Sequence, residues 1–161
     1  MRKINFIALL SIMILFIFAG CDGMKADKNY EDGKNLYDEG KFEESIEAYK
    51  NAIEFNPKNP KYYYKIAGCL KRLNKQSEAV NWYEKAIDVD ENYIDAYEKL
   101  IQLHISLNNK DAAQKVADDA LELFKDQESI DDINEALNPK PESDDDETTK
   151  TEENVEGDGS E

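Results

Sequence analysis

The feature that most constrains this chain is an internal repeat with a period of 34 residues. One position of the period holds Gly33, Ala67 and Ile101. Two further positions hold small residues, namely Ser45, Ala79 and Ala113, and then Ala52, Ala86 and Ala120. Between these positions the apolar residues follow helical spacing, as at Tyr63, Ile66, Leu70 and Leu73. A short helical unit cannot bury its apolar face alone, so we expect several units to stack.

The register of these small residues resembles the tetratricopeptide repeat, a 34-residue helix–turn–helix motif. On that frame the repeats are 26–59, 60–93 and 94–127, and Asn29, Glu91 and Lys125 depart from its pattern. The resemblance implies an all-α fold, a right-handed superhelical solenoid of three helix–turn–helix units with a C-terminal capping helix. It also implies a protein-binding surface, because the first helix of each repeat lines a concave groove in such arrays.

Residues at the turns and at the end of the array agree with this frame. Gly40, Asn74 and Asn108 occupy one equivalent position, where we expect the left-handed backbone that follows a helix end. After the third repeat, Ser129 is the predicted N-cap of a further helix over 129–137, within a capping segment 128–138. Pro139 ends that helix.

The N-terminus has the layout of an export signal. Arg2 and Lys3 precede fourteen mainly apolar residues, 6–19, and the usual membrane-spanning helix needs about 20. The end of this segment, Ala19-Gly20-Cys21, resembles the lipobox of bacterial lipoproteins. The resemblance implies removal of the signal peptide 1–20, lipid attachment through acyl chains such as palmitate at Cys21, and a short tether, 21–25. We therefore expect an exported lipoprotein anchored on the extracytoplasmic face of the cell membrane; the alternatives are an uncleaved anchor helix or cleavage elsewhere.

Composition excludes several classes of function. A net charge of −16 disfavours nucleic-acid binding, since phosphate recognition needs a clustered basic surface. One histidine and two cysteines provide too few ligands for a zinc or iron–sulfur site, so we expect no metal and no cofactor. His104 and Cys69 fall on the packed side of their predicted helices. Because no enzyme motif is present either, we expect a non-catalytic protein.

Helical geometry selects the predicted groove. Positions 2, 5, 6, 9 and 13 of each repeat lie within about a 100° arc of the first helix. The predicted partner-binding residues on this arc are Tyr30, Lys34, Lys61, Tyr64, Lys65, Gly68, Arg72 and Lys99. The middle repeat is basic and would suit an acidic peptide, and the alternative is a solvated face with balanced charges. The carboxylate clamp of chaperone-binding repeats is not matched, because Tyr30, Lys34 and Asp95 stand where it needs other residues.

The C-terminal segment 139–161 has no periodic apolar pattern. From residue 140 onward it holds ten acids and two lysines, a net charge of −8. We expect an acidic disordered tail. Its candidate roles are solubility, weak cation binding, docking on a basic partner, or folding back over the basic stripe of the groove.

Together these features predict a membrane-anchored adaptor of the bacterial cell envelope that binds a protein or peptide segment in its groove. The expected partner is acidic or membrane-associated, and self-association through end helices is a further expectation. The alternative is a structural component of an envelope assembly that uses the convex face or the solenoid ends. A third class, a substrate-binding lipoprotein or enzyme, would need an enclosed small-molecule pocket.

Overall fold

Seven helices make up the part of the chain that the computed structural model describes, residues 6–139, with side chains described from residue 22 onward. They are α1 (Phe6–Asp38), α2 (Phe42–Phe55), α3 (Pro60–Arg72), α4 (Gln76–Val89), α5 (Ile94–Ser106), α6 (Lys110–Leu123) and α7 (Gln127–Leu137). Successive helices pack as hairpins, α1 with α2, α3 with α4 and α5 with α6, and each hairpin contacts the next. Helix α7 packs against α5 and α6. The predicted all-α solenoid with a C-terminal capping helix is confirmed.

The turn within each hairpin has the backbone that the sequence predicts. Gly40, Asn74 and Asn108 have φ angles of 76°, 60° and 57°. The residue after each of them donates its backbone N–H to a carbonyl of the last helical turn, at 2.8 Å in all three hairpins. These bonds satisfy carbonyls that a helix end would otherwise leave unpaired. The expectation of a left-handed residue at this position is confirmed.

The small residues of the repeat lie where helices pack most closely. Ser45, Ala79 and Ala113 are fully buried, and so are Ala52, Ala86 and Ala120. Gly33 on α1 faces the ring of Tyr49 on α2, and a Cβ atom at Gly33 would lie 2.7 Å from that ring. Small size at these positions therefore lets the two helices of a unit come into contact.

Two boundaries differ from the prediction. Helix α1 already includes 21–25, where we expected a tether before a helix starting at 26. The helix runs through Gly23 without a break, and Asn29 Nδ2 donates to the carbonyl of Lys25 at 2.9 Å. At the other end, Ser129 is not the N-cap of the last helix. Helix α7 begins at Gln127, because the Asp126 carboxylate accepts the backbone N–H of Ser129 at 2.9 Å and caps the helix earlier.

Several predictions concern residues outside those described. The first five residues and 140–161 fall outside, as do the side chains of 6–21, so the signal peptide, the lipidation of Cys21 and the acidic tail stay predictions. Within the part of the chain whose side chains are described, no helix has the length and apolar character needed to span a membrane.

Candidate functional site

The first helices of the three units line a groove on the concave side. It contains a cavity of about 360 Å³ between α1, α3 and α5, with a floor of tyrosines from α2 and α4. Its lining residues are Lys34, Tyr37, Asp38, Tyr49, Tyr64, Lys65, Gly68, Lys71, Arg72, Tyr83 and Lys99. We call this set the basic groove. A second cavity lies between α5 and α7 and is described below.

Six of the eight predicted partner-binding residues line the basic groove. They are Lys34, Tyr64, Lys65, Gly68, Arg72 and Lys99. Gly68 faces open space, since a Cβ atom there would have no neighbour within 4 Å. The absence of a side chain at Gly68 therefore helps to keep the groove open.

Tyr30 and Lys61 do not line the basic groove. The Tyr30 ring packs between Tyr49 and Tyr62, with centroid distances of 5.7 and 5.6 Å, so it belongs to the core. Lys61 is exposed in the first turn of α3, whereas the cavity begins at Tyr64. The angular position of a residue shows which face of the helix it occupies, but it does not show how far along the axis the groove extends. At 1.5 Å per residue, Lys61 lies about 10 Å from Gly68 along the axis of α3 and is therefore beyond the end of the groove.

The sequence-based site set omitted five residues that line the basic groove. Tyr37 and Lys71 are equivalent, at position 12 of successive repeats, and Tyr49 and Tyr83 are equivalent, at position 24 on the second helix. Asp38 is the fifth. The recurrence of tyrosine at position 24 was a usable signal, but only the packing of α2 and α4 behind the first helices shows that it reaches the groove.

The charges in the basic groove are unbalanced. Five cationic side chains and one carboxylate line it, in a chain of net charge −16. Lys34 has an ion pair with Glu31 at 3.6 Å, on its own helix. Among the described side chains, none of the four other cations has a carboxylate within 4.0 Å; they are Lys65, Lys71, Arg72 and Lys99. The groove thus offers free positive charge to an anionic ligand.

Like charges are crowded around Lys71, which also favours an anionic ligand. Burial lowers the pKa of the Lys71 ammonium, and the positive charge of Lys99 lowers it further. The Lys99 ammonium donates to the Gln102 side-chain oxygen, with a nitrogen–oxygen distance of 3.4 Å. A bound carboxylate between Lys71 and Lys99 would relieve this repulsion.

Aromatic rings hold the cations of the groove in place. The Arg72 guanidinium lies 4.9 Å from the ring centre of Phe42 and 5.9 Å from that of Tyr37. The Lys65 ammonium lies 5.8 Å from the ring of Tyr64. Tyr64 in turn packs edge-on against Tyr83, at a centroid distance of 5.5 Å. Contacts of this kind contribute about 0.5–1 kcal/mol at exposed sites and orient the charges for binding.

Three tyrosines that line the groove are partly or fully buried. Burial raises the pKa of Tyr64 to about 12, with a further contribution from the negative charge of Asp95. Burial also raises the pKa of Tyr49 and of Tyr83. These shifts reflect the low exposure of the rings, which form the packed floor of the groove.

Two other residues of interest lie in the core, as predicted. Cys69 is fully buried, its sulfur lies 3.3 Å from the Ser45 hydroxyl, and burial raises the pKa of its thiol. His104 is 8% exposed, and burial lowers its pKa. Among the described residues, no cluster of three or more His, Cys, Asp or Glu side chains is arranged to hold a metal ion.

Family models recognise the repeats. One described as "TPR repeat" matches residues 33–68, and one described as "Tetratricopeptide repeat" matches residues 60–93. TPR repeats are thus present, and the prediction of this motif is confirmed. Together with the helix order, these matches define an all-α TPR solenoid.

The chain is similar to segments of longer curated proteins. The chain is 27% identical over 96 residues to Hsp70-Hsp90 organizing protein 2 of Arabidopsis thaliana, which covers 60% of this chain and 17% of the relative. It is 29% identical over 99 residues to DnaJ homolog subfamily C member 7 of Homo sapiens, covering 62% of this chain and 20% of the relative. The chain therefore spans about a fifth or less of the length of these two relatives.

Solved structures show the same fold. The first TPR of Spaghetti (RPAP3) bound to the HSP90 peptide SRMEEVD has a TM-score of 0.57 and 26% identity, covering 71% of this chain and 94% of that one. The TPR2AB-domain:pHSP90 complex of yeast Sti1 has a TM-score of 0.64 and 21% identity, covering 84% of this chain and 56% of that one. At 21% identity the second likeness shows the fold alone.

Proposed function

We propose that this protein is a non-catalytic adaptor that binds an acidic, extended protein segment in its basic groove. The observation that carries the proposal is the group of four cations without a carboxylate partner around Gly68, within a strongly acidic chain. Carboxylates form charge-assisted hydrogen bonds with such groups, and the half-buried rings of Tyr37 and Tyr64 supply rigid contact area.

The relatives support the class of ligand. The Spaghetti structure holds the peptide SRMEEVD, in which three of seven residues are acidic. Tyr30, Lys34 and Asp95 stand where the clamp of chaperone-binding repeats needs other residues. We therefore propose an acidic segment as the ligand class and do not extend the chaperone tail itself to this chain.

The proposal has a second part, which concerns location. We propose that the protein is an exported lipoprotein, held at the cell membrane by acyl chains on Cys21. The support is the basic start, the short apolar run and the Ala19-Gly20-Cys21 sequence. Helix α1 continues from this region into the first repeat, so the groove would lie near the bilayer and would suit a partner of the cell envelope.

A crosslinking pull-down from membranes tests the groove. The groove variant carries Lys65→Glu, Lys71→Glu and Arg72→Glu. A matched control carries Lys28→Glu, Lys58→Glu and Lys61→Glu, which change the net charge equally at exposed positions outside the groove. We expect wild type and control to capture a partner that the groove variant loses, and the crosslinked segment to bind directly as a synthetic peptide.

A variant without a charge change separates folding from recognition. Gly68→Trp would place an indole in the open space of the groove while circular dichroism reports on the helices. Loss of the partner in this variant supports groove binding. If both groove variants capture the same proteins as wild type, the groove is not the site, and a role in assembly through the convex face becomes the better hypothesis.

Metabolic labelling tests the anchor. We expect incorporation of a clickable palmitate analogue into wild type and its loss in Cys21→Ser, with a matching change in intact mass. Unlabelled wild-type protein that still carries residues 1–20 would instead indicate an uncleaved anchor helix.

A further inference from the structure

The described chain ends at Pro139, just after α7. Pro139 lines a cavity of about 450 Å³ together with Gln102 and Ser106, which occupy groove-facing positions 9 and 13 of the third repeat. It also lines a cavity of about 400 Å³ with Lys110 and Gln114 of α6. Pro139 therefore lies at the end of the solenoid, and the groove-facing side of α5 is one of the two surfaces beside it.

This exit point adjoins the basic groove. Gln102 lines the cavity at Pro139, Lys99 lines the basic groove, and the two side chains are hydrogen-bonded at 3.4 Å. They lie one turn apart on α5. A chain that leaves Pro139 thus needs to move past only one helix to reach Gly68 and the cations around it.

The carboxylates around the cavity at Pro139 disfavour binding of the acidic segment there. Glu98, Asp132 and Glu135 line the cavity at Pro139, and burial together with the Asp132 charge raises the pKa of Glu98. An acidic segment is repelled by these three carboxylates and attracted by the basic groove beside them. Screening limits both effects to about 8–10 Å at moderate salt, which is the distance between neighbouring helices.

The segment has the charge and the length to reach the groove. Residues 140–161 carry ten acids and two lysines. A flexible chain of this length spans roughly 25 Å, at about 5–6 Å times the square root of the residue number.

We propose that residues 140–161 bind the basic groove of the same molecule and compete there with the protein partner. The proposal rests on the proposed function only for the identity of the competitor, since the contact itself needs no partner. The effective concentration of a short tether is about 1 mM, so a dissociation constant about tenfold below this value for the free segment corresponds to external ligands weakened about tenfold.

The first test uses a fluorescein-labelled synthetic peptide of residues 140–161 as an external ligand. It compares the full wild-type chain with a full-length variant in which the ten acids of the segment are Asn or Gln. We expect about tenfold tighter anisotropy-detected binding to the variant at 20 mM NaCl, and a smaller difference at 500 mM. Adding Lys65→Glu, Lys71→Glu and Arg72→Glu should abolish binding. Equal affinity for wild type and variant, or binding to neither, would overturn the proposal.

The second test detects the contact within one chain. In a Cys21→Ser background, Gly68→Cys in the groove is combined with Asn154→Cys in the segment, and Asn81→Cys on α4 replaces Gly68→Cys in the control. Gly68 has room for the new side chain, Asn81 is exposed outside the groove, and the native Cys69 is buried. We expect the groove pair to form the intramolecular disulfide several-fold faster than the control at low salt. Equal rates would refute the contact.

The two proposals can fail separately. If the peptide binds the groove and the disulfide forms, but the membrane pull-down shows no partner lost from the groove variant, the internal contact stands and the adaptor function falls. If the partner is lost from the groove variant but neutralising the segment changes nothing, the adaptor function stands and the internal contact falls.

Discussion

Two glycines on the first helices of neighbouring repeats should respond oppositely to the same substitution. Gly33→Ala adds a methyl group 2.7 Å from the Tyr49 ring, whereas Gly68→Ala adds one in open space. Both glycines lie inside helices, where alanine is favoured over glycine by about 0.5–1 kcal/mol. Gly68→Ala should therefore stabilise the fold by about that amount.

At Gly33 the steric cost of the added methyl group exceeds the gain in helix propensity, so the same substitution should destabilise the fold. The Tyr49 side chain is 1% exposed and contacts Tyr30, so its ring cannot turn away freely. The Gly33 carbonyl accepts the buried Ser45 hydroxyl at 2.7 Å, which also holds the backbone of α1 in place. Inserting a methyl group into such packing typically costs about 1–3 kcal/mol. Subtracting the helix-propensity gain leaves a net cost between about 0 and 2.5 kcal/mol. Because the new methyl group would lie only 2.7 Å from the ring, we expect the upper part of this range, a destabilisation of about 1–2 kcal/mol.

Thermal and urea unfolding followed by circular dichroism would measure both effects. For a unit of about 100 residues, 1 kcal/mol shifts Tm by about 4 °C. Gly33→Ala should lower Tm by about 4–8 °C, and Gly68→Ala should raise it by about 2–4 °C. Gly33→Ala in a Tyr49→Leu background provides the control, because removing the ring should remove most of the methyl group's cost. A stabilising Gly33→Ala, or equal shifts for both glycines, would refute the packing assigned here.

Two further predictions concern pH and capping. The folded-state pKa of His104 lies below its ordinary value of 6.5, mainly through burial, so the unfolded chain takes up more protons and stability should fall as pH drops below about 6.5. Glu84, Asp88, Lys115 and Asp119 line the same cavity. His104→Leu should therefore reduce the change in the urea unfolding midpoint between pH 7 and 5. An unchanged pH dependence of this midpoint would contradict the prediction. The backbone N–H of Ser129 donates to the Asp126 carboxylate and lowers its pKa, so the helix cap should persist above pH 4 and weaken below it. Asp126→Ala should reduce the protection of backbone amides from hydrogen exchange across α7, and Asp131→Ala serves as the control.

The sequence predicts which face of a helix contributes to this site better than it predicts which part of the helix axis does. Periodicity assigns each residue to a face, and this was enough to place Lys34, Lys65, Gly68 and Arg72 around one cavity. It does not say where along the axis a neighbouring helix crosses, so Lys61 was included although the groove begins one turn later. The contribution of Tyr49 was missed because it comes from the second helix of its repeat, which only tertiary packing brings behind the groove.

The repeat, the all-α class and the turns follow from the sequence, because close packing requires small residues at fixed intervals and left-handed turns favour Gly or Asn. These are local requirements, and Gly40, Asn74 and Asn108 show them directly. The convergence of five cations with one carboxylate, and the position of Pro139 in a neighbouring cavity, depend on the packing of the helices. Convergence depends on the distances between helices, and a linear pattern of charges does not contain those distances.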